Sequence, residues 1–253
     1  MKKAIIKKGG SGYGKPLICV PVVKKRREDI FKAAKGIVER GASVLEWRMD
    51  WYEQVFIWTQ VEEILKGLAD ICKETLLLCT FRSRPQGGEL EIAEEDYRML
   101  LKRTAESGYA DLLDVEVKEL SEPLTVFREL HQSSIEILAS QHYFSHTPET
   151  ETIVKELRDM KELGADIGKI AVMPQSERDV LHLMEATVSM KEQYPDYPII
   201  TMSMGKTGVI SRISGQVFGS CMTFGAVGKV SAPGQLPMED LKLILDKIAE
   251  SLE

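Results

Sequence analysis

Eight short runs dense in branched apolar residues punctuate the chain: Leu17–Val23, Ser43–Met49, Leu76–Arg82, Ala110–Val117, Ile135–His142, Gly168–Met173, Pro198–Met202 and Met222–Val227. Each is apolar almost throughout, as a strand must be when both of its faces are covered. A half-solvated strand would alternate instead. Between the runs lie stretches of helical period. Arg27 to Arg40 ends at Gly41, and Glu94 to Ser107 ends at Gly108, each glycine a left-handed helix stop. Thr147-Pro148 opens a helix that stops at Gly164, with proline in the tolerated first turn. Ser176 with Asp179 caps the start of a run to Met190. The last helix sets Leu241, Ile244, Leu245, Ile248 and Leu252 on one stripe. Eight strand–helix units of roughly 25–35 residues each predict a (β/α)8 barrel, the TIM-barrel fold. We expect one domain over residues 1–253. An open doubly wound sheet is the structural alternative.

Composition narrows the setting. The chain is 43% hydrophobic and 28% charged, which suits a folded rather than a disordered protein. Its 33 Lys+Arg against 39 Asp+Glu give a net charge of -6, which disfavours nucleic acid, because phosphate binding wants a basic face. No apolar run approaches the ~20 residues needed to span a bilayer. Ala4-Ile5-Ile6 behind Lys2 and Lys3 is too short for a signal peptide. Cys19, Cys72, Cys79 and Cys221 lie in or beside apolar stretches without C-x-x-C spacing. They read as small core residues in a reducing cytoplasm.

The segment before the first strand, within residues 1–16, reads as a short hairpin closing the barrel floor. Gly9-Gly10-Ser11-Gly12-Tyr13-Gly14-Lys15-Pro16 imitates a phosphate-binding loop. Pro16 stands where the magnesium-binding Ser or Thr belongs, and a strand follows in place of a helix. A turn fits that context better.

In a barrel of this kind, chemistry sits at the C-terminal ends of the strands. Those ends carry Glu46-Trp47-Arg48, Thr80-Phe81-Arg82, Asp114-Val115-Glu116 and Ser140-Gln141-His142, while Lys169 opens the sixth strand. The two-residue period puts Glu46 with Arg48, Thr80 with Arg82, and Asp114 with Glu116 on shared faces. One such residue would simply mark where a strand meets water. Five consecutive strands with the same habit point to an enclosed site. Arg48, Arg82 and Lys169 balance Glu46, Asp114 and Glu116, as a buried cluster requires. Lys169 has apolar neighbours and nearby guanidinium groups, which disfavour its ammonium form and leave an amine able to attack a carbonyl. His142 on the adjacent strand is the side chain suited to trade protons with it.

The remaining histidines carry less. His142 and His146 have a metal-binding spacing only on a helix, and Thr147-Pro148 makes the segment a loop, so no metal is expected. His131 and His182 lie in helical stretches. Ser203 lacks the G-x-S-x-G turn of a hydrolase. Met202 and Met204 read as barrel packing. Arg212 is left over from the charge count, so a substrate carboxylate is its expected partner, with Ser231 and Gln235 on a Pro-Gly loop donating to the same anion.

Several strings together resemble the type I 3-dehydroquinate dehydratase family. They are Glu46-Trp47-Arg48-Met49-Asp50, Thr80-Phe81-Arg82-Ser83 with Gly87-Gly88-Glu89, Lys169-Ile170-Ala171-Val172-Met173-Pro174, Thr201-Met202-Ser203-Met204, Gly208-Val209-Ile210-Ser211-Arg212 and Ser231-Ala232-Pro233-Gly234-Gln235. The resemblance implies a (β/α)8 enzyme, a homodimer without metal or organic cofactor, acting on 3-dehydroquinate in the shikimate pathway. It makes Lys169 the Schiff-base lysine and His142 the proton-transfer residue. It makes Glu46, Arg48, Arg82, Arg212, Ser231 and Gln235 substrate contacts, with Arg212 the carboxylate clamp. Two departures touch the histidine: Gln86 stands where the family often has Glu, and Tyr143 where it commonly has Asp or Asn. The implied reaction is a syn elimination of water through a lysine imine, giving 3-dehydroshikimate. A class I aldolase or transaldolase is the main enzyme rival, although the last loops offer no Gly-rich phosphate cradle. A catalytically dead barrel that senses a small acid is the rival of another class.

Overall fold

A computed structural model describes residues 14–228 and 232–252. Most of the hairpin expected over residues 1–16 lies outside the described residues, as does Ser231. The strands are β1 (Leu17–Val22), β2 (Val44–Arg48), β3 (Leu76–Thr80), β4 (Leu112–Glu116), β5 (Glu136–Tyr143), β6 (Ile167–Val172), β7 (Ile199–Ser203) and β8 (Met222–Ala226). All neighbours pair in parallel, from β8 through β1 to β7. The helices are α1 (Arg27–Glu39), α2 (Trp58–Ile71), α3 (Glu94–Ser107), α4 (Pro123–Leu130), α5 (Thr150–Glu162) and α6 (Glu177–Gln193). Two short ones follow β7, α7 (Val209–Ile213) and α8 (Gly215–Phe218), and a two-residue strand β9 (Leu236–Pro237) leads into α9 (Met238–Leu252). The (β/α)8 barrel therefore forms: the strands lie in chain order from β8 through β1 to β7, and the two ends of that row meet at an Ile199–Ser220 bridge, which an open doubly wound sheet does not allow.

The local signals act largely as expected. Gly41 and Gly108 take left-handed backbones with φ of 80° and 69° after α1 and α3. Ser176 Oγ accepts from the Asp179 backbone N–H at the start of α6. One boundary moves. Thr147-Pro148 lie ahead of α5, which starts at Thr150 behind Glu149, because an extended Glu149 (φ -60°, ψ 152°) delays the first turn. The stripe on α9 also thins toward its end: Leu241 and Leu245 are buried and Leu252 is exposed.

The barrel closes between β7 and β8 by an unusual seam. No ladder joins these strands; an isolated bridge pairs Ile199 with Ser220, just before β8. The Thr201 N–H donates to Ser220 Oγ (3.1 Å) and the Cys221 N–H to the Ile199 carbonyl (2.9 Å). A serine hydroxyl thus takes the place of a backbone carbonyl at the joint.

Two apolar cores flank the strands. The larger lies between barrel and helices, with Trp47, Phe81, Tyr97 and Phe127 buried in it. The smaller fills the lower barrel with Cys19, Val44, Leu76, Leu78, Leu112, Leu138, Ile167 and Ile200. All four cysteines are buried free thiols. The inward series of a strand begins in this second core and ends in polar groups: Val44, Glu46, Arg48 on β2; Leu112, Asp114, Glu116 on β4; Leu138, Ser140, His142 on β5. The register matches the polar members, pairing Thr80 with Asp114, Glu116 with Ser140, and Ser140 with Lys169. A dry lower barrel beneath a charged upper layer follows from the period-two pattern itself.

Candidate active site

A cavity of about 480 Å³ opens over the polar layer and is lined by Glu46, Arg48, Arg82, His142, Lys169 and Arg212, with Gln235 on its rim. Seven of the eight residues expected to form the site are thus placed at one cavity, and the eighth, Ser231, lies outside the described residues. Glu46, Arg48, His142 and Lys169 come from strands, and Arg82, Arg212 and Gln235 from segments beyond them.

Arg82 is the hub. Its Nη2 donates to Asp114 Oδ2 (2.8 Å) and its Nη1 to Glu116 Oε1 (2.5 Å) and Ser140 Oγ (3.0 Å). Burial alone would weaken the guanidinium, but Asp114, Glu116 and Glu46 outweigh it and hold the proton more tightly than usual. Burial likewise pushes Asp114 up, yet Arg82 and Lys169, with the Ser140 hydroxyl (2.6 Å), bring its carboxyl below the ordinary value. For Glu116 burial wins over Arg82, and its carboxyl sits above the ordinary value.

The charge balance differs from the sequence expectation in one respect. Asp50, just past β2, makes a bidentate pair with Arg48 (2.8 and 2.7 Å), so four carboxylates meet four cations once Arg212 is included. Asp50 also accepts the backbone N–H groups of Arg82 (3.3 Å) and Glu89 (3.1 Å), tying β2 to the loop after β3. Its place in Glu46-Trp47-Arg48-Met49-Asp50, two residues beyond an inward arginine, was the available signal. Glu46 accepts from Thr80 Oγ1 (2.9 Å), and its carboxylate lines the cavity.

Lys169 is 3% exposed and is the third residue of β6, which starts at Ile167 rather than at the lysine. Its Nζ lies 3.2 Å from Asp114 Oδ2 and 4.7 Å from the centroid of the Phe224 ring. The lysine is therefore ion-paired within the balanced cluster that the sequence suggested, with Asp114 as the particular partner. Asp114 is its partner because the Thr80–Asp114 register aims that carboxylate across the barrel.

His142 projects inward from β5. Its Nδ1 lies 3.1 Å from Gln86 Oε1, and its backbone N–H donates to the same oxygen (3.2 Å). An amide oxygen only accepts, so Nδ1 carries the hydrogen and Nε2 keeps its lone pair. Burial first, then the charges of Arg82, Lys169 and Arg48, hold the imidazole well below its usual pKa. Phe144 stacks beside the ring at 6.4 Å and 19°. Tyr143 points the other way, out of the barrel, where its hydroxyl is held by Glu156 and by Lys118 (2.7 Å). The tyrosine thus clamps the end of β5 to α5 without entering the cavity.

The Gly-Gly pair in the loop after β3 is dictated by space. A Cβ on Gly88 would fall 1.8 Å from the Arg82 carbonyl oxygen, and one on Gly87 (φ 86°) 2.2 Å from the Phe144 ring. That tight turn is what brings Gln86 against His142.

Arg212, on α7, is 1% exposed. Its Nη2 donates to the Pro233 carbonyl (2.9 Å), its Nη1 approaches Met202 Sδ (3.9 Å), and Nε has no hydrogen-bond partner among the described residues. Burial lowers its pKa to about 10. No carboxylate pairs with it among the described residues. A buried guanidinium facing a cavity with a free N–H is poised for an anionic ligand. Met202, Met204 and Phe224 complete the wall, so these residues, read from the sequence as packing or passed over, line the site as well.

A family profile described as "Type I 3-dehydroquinase" matches residues 18–251. The 3-dehydroquinate dehydratase of Klebsiella pneumoniae (strain 342) is 45% identical over 234 residues, covering 92% of this chain and 93% of the relative. That of Clostridioides difficile (strain 630) is 43% identical over 252 residues, 99% of each chain. The crystal structure of type I 3-dehydroquinate dehydratase from Clostridium difficile with covalently modified comenic acid superposes with a TM-score of 0.91 at 44% identity, covering 95% of both chains. Fold, site and near full-length similarity agree: the chain belongs to the type I 3-dehydroquinase family.

Proposed function

We propose that the chain removes water from 3-dehydroquinate to give 3-dehydroshikimate, the hydro-lyase step of the shikimate pathway, through an imine on Lys169. The observation that carries this reading is the one cavity shared by a buried lysine, a histidine with a free Nε2 lone pair, and a buried arginine without a carboxylate partner among the described residues.

Arg212 receives the substrate carboxylate, with Gln235 and Ser231 on the same loop as further donors. Arg48, Arg82 and Glu46 hold the ring. Glu46 has carboxylate capacity left for a substrate hydroxyl. Lys169, as the free amine, adds to the ketone, and the carbinolamine loses water to form an iminium. Asp114, fixed 3.2 Å from Nζ by Arg82 and Ser140, offers the iminium the same counter-charge it offers the ammonium. The iminium draws electrons from the adjacent C–H bond, and His142 Nε2 takes that proton, leaving an enamine. The enamine expels the β-hydroxyl, to which the imidazolium returns the proton, so it departs as water. Addition of water to the imine frees the product and Lys169. One water is lost overall. A single histidine as base and then acid requires both events on one face, hence a syn elimination. General acid–base work of this kind contributes about 10²–10⁴-fold.

Intact-protein mass spectrometry after borohydride reduction with 3-dehydroquinate tests the scheme. A stable adduct mapped to Lys169 and absent from Lys169→Ala is the expected result. Dehydration without an adduct would overturn the imine. Family membership supports a homodimer, which sedimentation equilibrium checks. The buried free thiols suit a reducing compartment such as the cytoplasm. Among the described residues no helix is long and apolar enough to cross a membrane.

A further inference from the structure

Gln86 does more than accept from His142. Its Nε2 donates to Glu119 Oε1 (3.2 Å), on the short turn after β4. The two ends of the amide are assigned by their neighbours: the His142 backbone N–H can only donate, and the Glu119 carboxylate can only accept. Carboxylate, amide and imidazole therefore form one chain, Glu119 to Gln86 to His142 Nδ1, spanning the loops after β4 and β3 and the end of β5. We propose that Glu119 is a positioning residue for His142, acting through Gln86: it fixes the amide so that its oxygen faces Nδ1, and it supplies at one remove the negative charge that Gln86 itself lacks.

The physical need is plain. Once His142 takes the substrate proton it must exist briefly as imidazolium. The charged groups around its cavity are Glu46 and Arg48 of β2 with Asp50 just beyond, Arg82, Asp114 and Glu116 of β4, Lys169 of β6 and Arg212 of α7, with Lys118 and Glu156 behind the strand; Asp50 is taken by Arg48. Asp114 and Glu116 are committed to Arg82 and Lys169, and Glu156 to Lys118 and Tyr143. Among the described residues, Glu119 is the carboxylate connected to the ring by a chain of hydrogen bonds. A polarised amide passes part of its charge along, since linked hydrogen bonds strengthen one another.

This inference rests on His142 being the proton-transfer residue, and the experiment separates the two. Steady-state dehydration of 3-dehydroquinate is measured against pH for the full chain, E119Q, Q86E, the double variant E119Q/Q86E, and H142A. Glu119→Gln keeps an acceptor while removing the charge, at a half-buried site where the swap leaves the fold intact. We expect kcat to fall about tenfold, the scale of one hydrogen bond to a charged group, with KM nearly unchanged. The acidic limb moves to lower pH. In Q86E the carboxylate touches the ring directly and repels Glu119, so there the Glu119→Gln change becomes neutral or favourable. Equal losses in both backgrounds would show a structural role and overturn the proposal, as would wild-type kcat and pH profile in E119Q. If H142A retains full activity, the histidine assignment itself has failed; if H142A is inactive and E119Q unaffected, only the Glu119 proposal falls.

Discussion

Arg212 is buried and His142 half-buried, and the loss of water does opposite work on the function of each. Arg212 keeps its charge at neutral pH even with its pKa at about 10, so its cost is a guanidinium that no carboxylate among the described residues offsets until an anion arrives. Arg212→Ala should therefore act mainly on binding, raising KM roughly 10–100-fold, as expected for a lost charge-assisted pair. Kinetics with unchanged KM would remove the clamp assignment. His142 is held neutral, and neutral imidazole is the form that takes a proton. Its lowered pKa places the acidic limb of kcat/KM below the ordinary imidazole value of about 6.5. The sign for stability is the same: unfolding returns the ring to its ordinary affinity, so stability falls as pH drops from about 6.5 toward the folded-state value. A kcat/KM profile with its acidic limb above pH ~7 contradicts this environment.

At the scale of elements, the loop after β3 shows how backbone space decides chemistry. Gly88 packs against the Arg82 carbonyl with no room for a methyl group, and the same turn delivers Gln86 to His142. Gly88→Ala should lose about 3 kcal/mol of stability together with most of kcat. Gly108→Ala is the informative control. Its added methyl meets nothing within 4 Å, so only left-handed strain remains, about 1 kcal/mol, with activity unchanged. Chemical denaturation and kinetics on both variants separate packing from backbone preference. This loop also marks the limit of what the sequence discloses. Strand-end residues such as Glu46, Arg82 and Lys169 are legible because a period of two fixes their face once the strands are located. Asp50 continues that step of two just past β2, whereas Gln86 and Glu119 follow no period, because they sit in short turns whose paths depend on contacts 33 to 56 residues away in the chain. The Lys169–Asp114 pair is similarly hidden, since it needs the register of three strands at once.

The whole molecule stacks a dry lower barrel under a charged upper one, and the second layer is a liability to folding. Four cations and four carboxylates are withdrawn from water, and among the described residues Arg212 is left without a carboxylate. Replacing it with an apolar side chain of similar length should stabilise the fold while impairing binding. We expect Arg212→Met to raise Tm by a few degrees, on the order of 1 kcal/mol, in the absence of ligand. A lower Tm would show that the Pro233 and Met202 contacts outweigh the burial cost. The Ser220 joint carries a separate implication. A ring of strands can open only where its hydrogen bonding is thinnest, and here that place is marked by one bridge and one side-chain acceptor. Native-state amide exchange should accordingly be uneven around the circumference, with the Thr201 and Cys221 amides losing protection well before those of β4 and β5. The barrel would then breathe as an arc with one clasp, and the clasp lies beside the helix that carries Arg212.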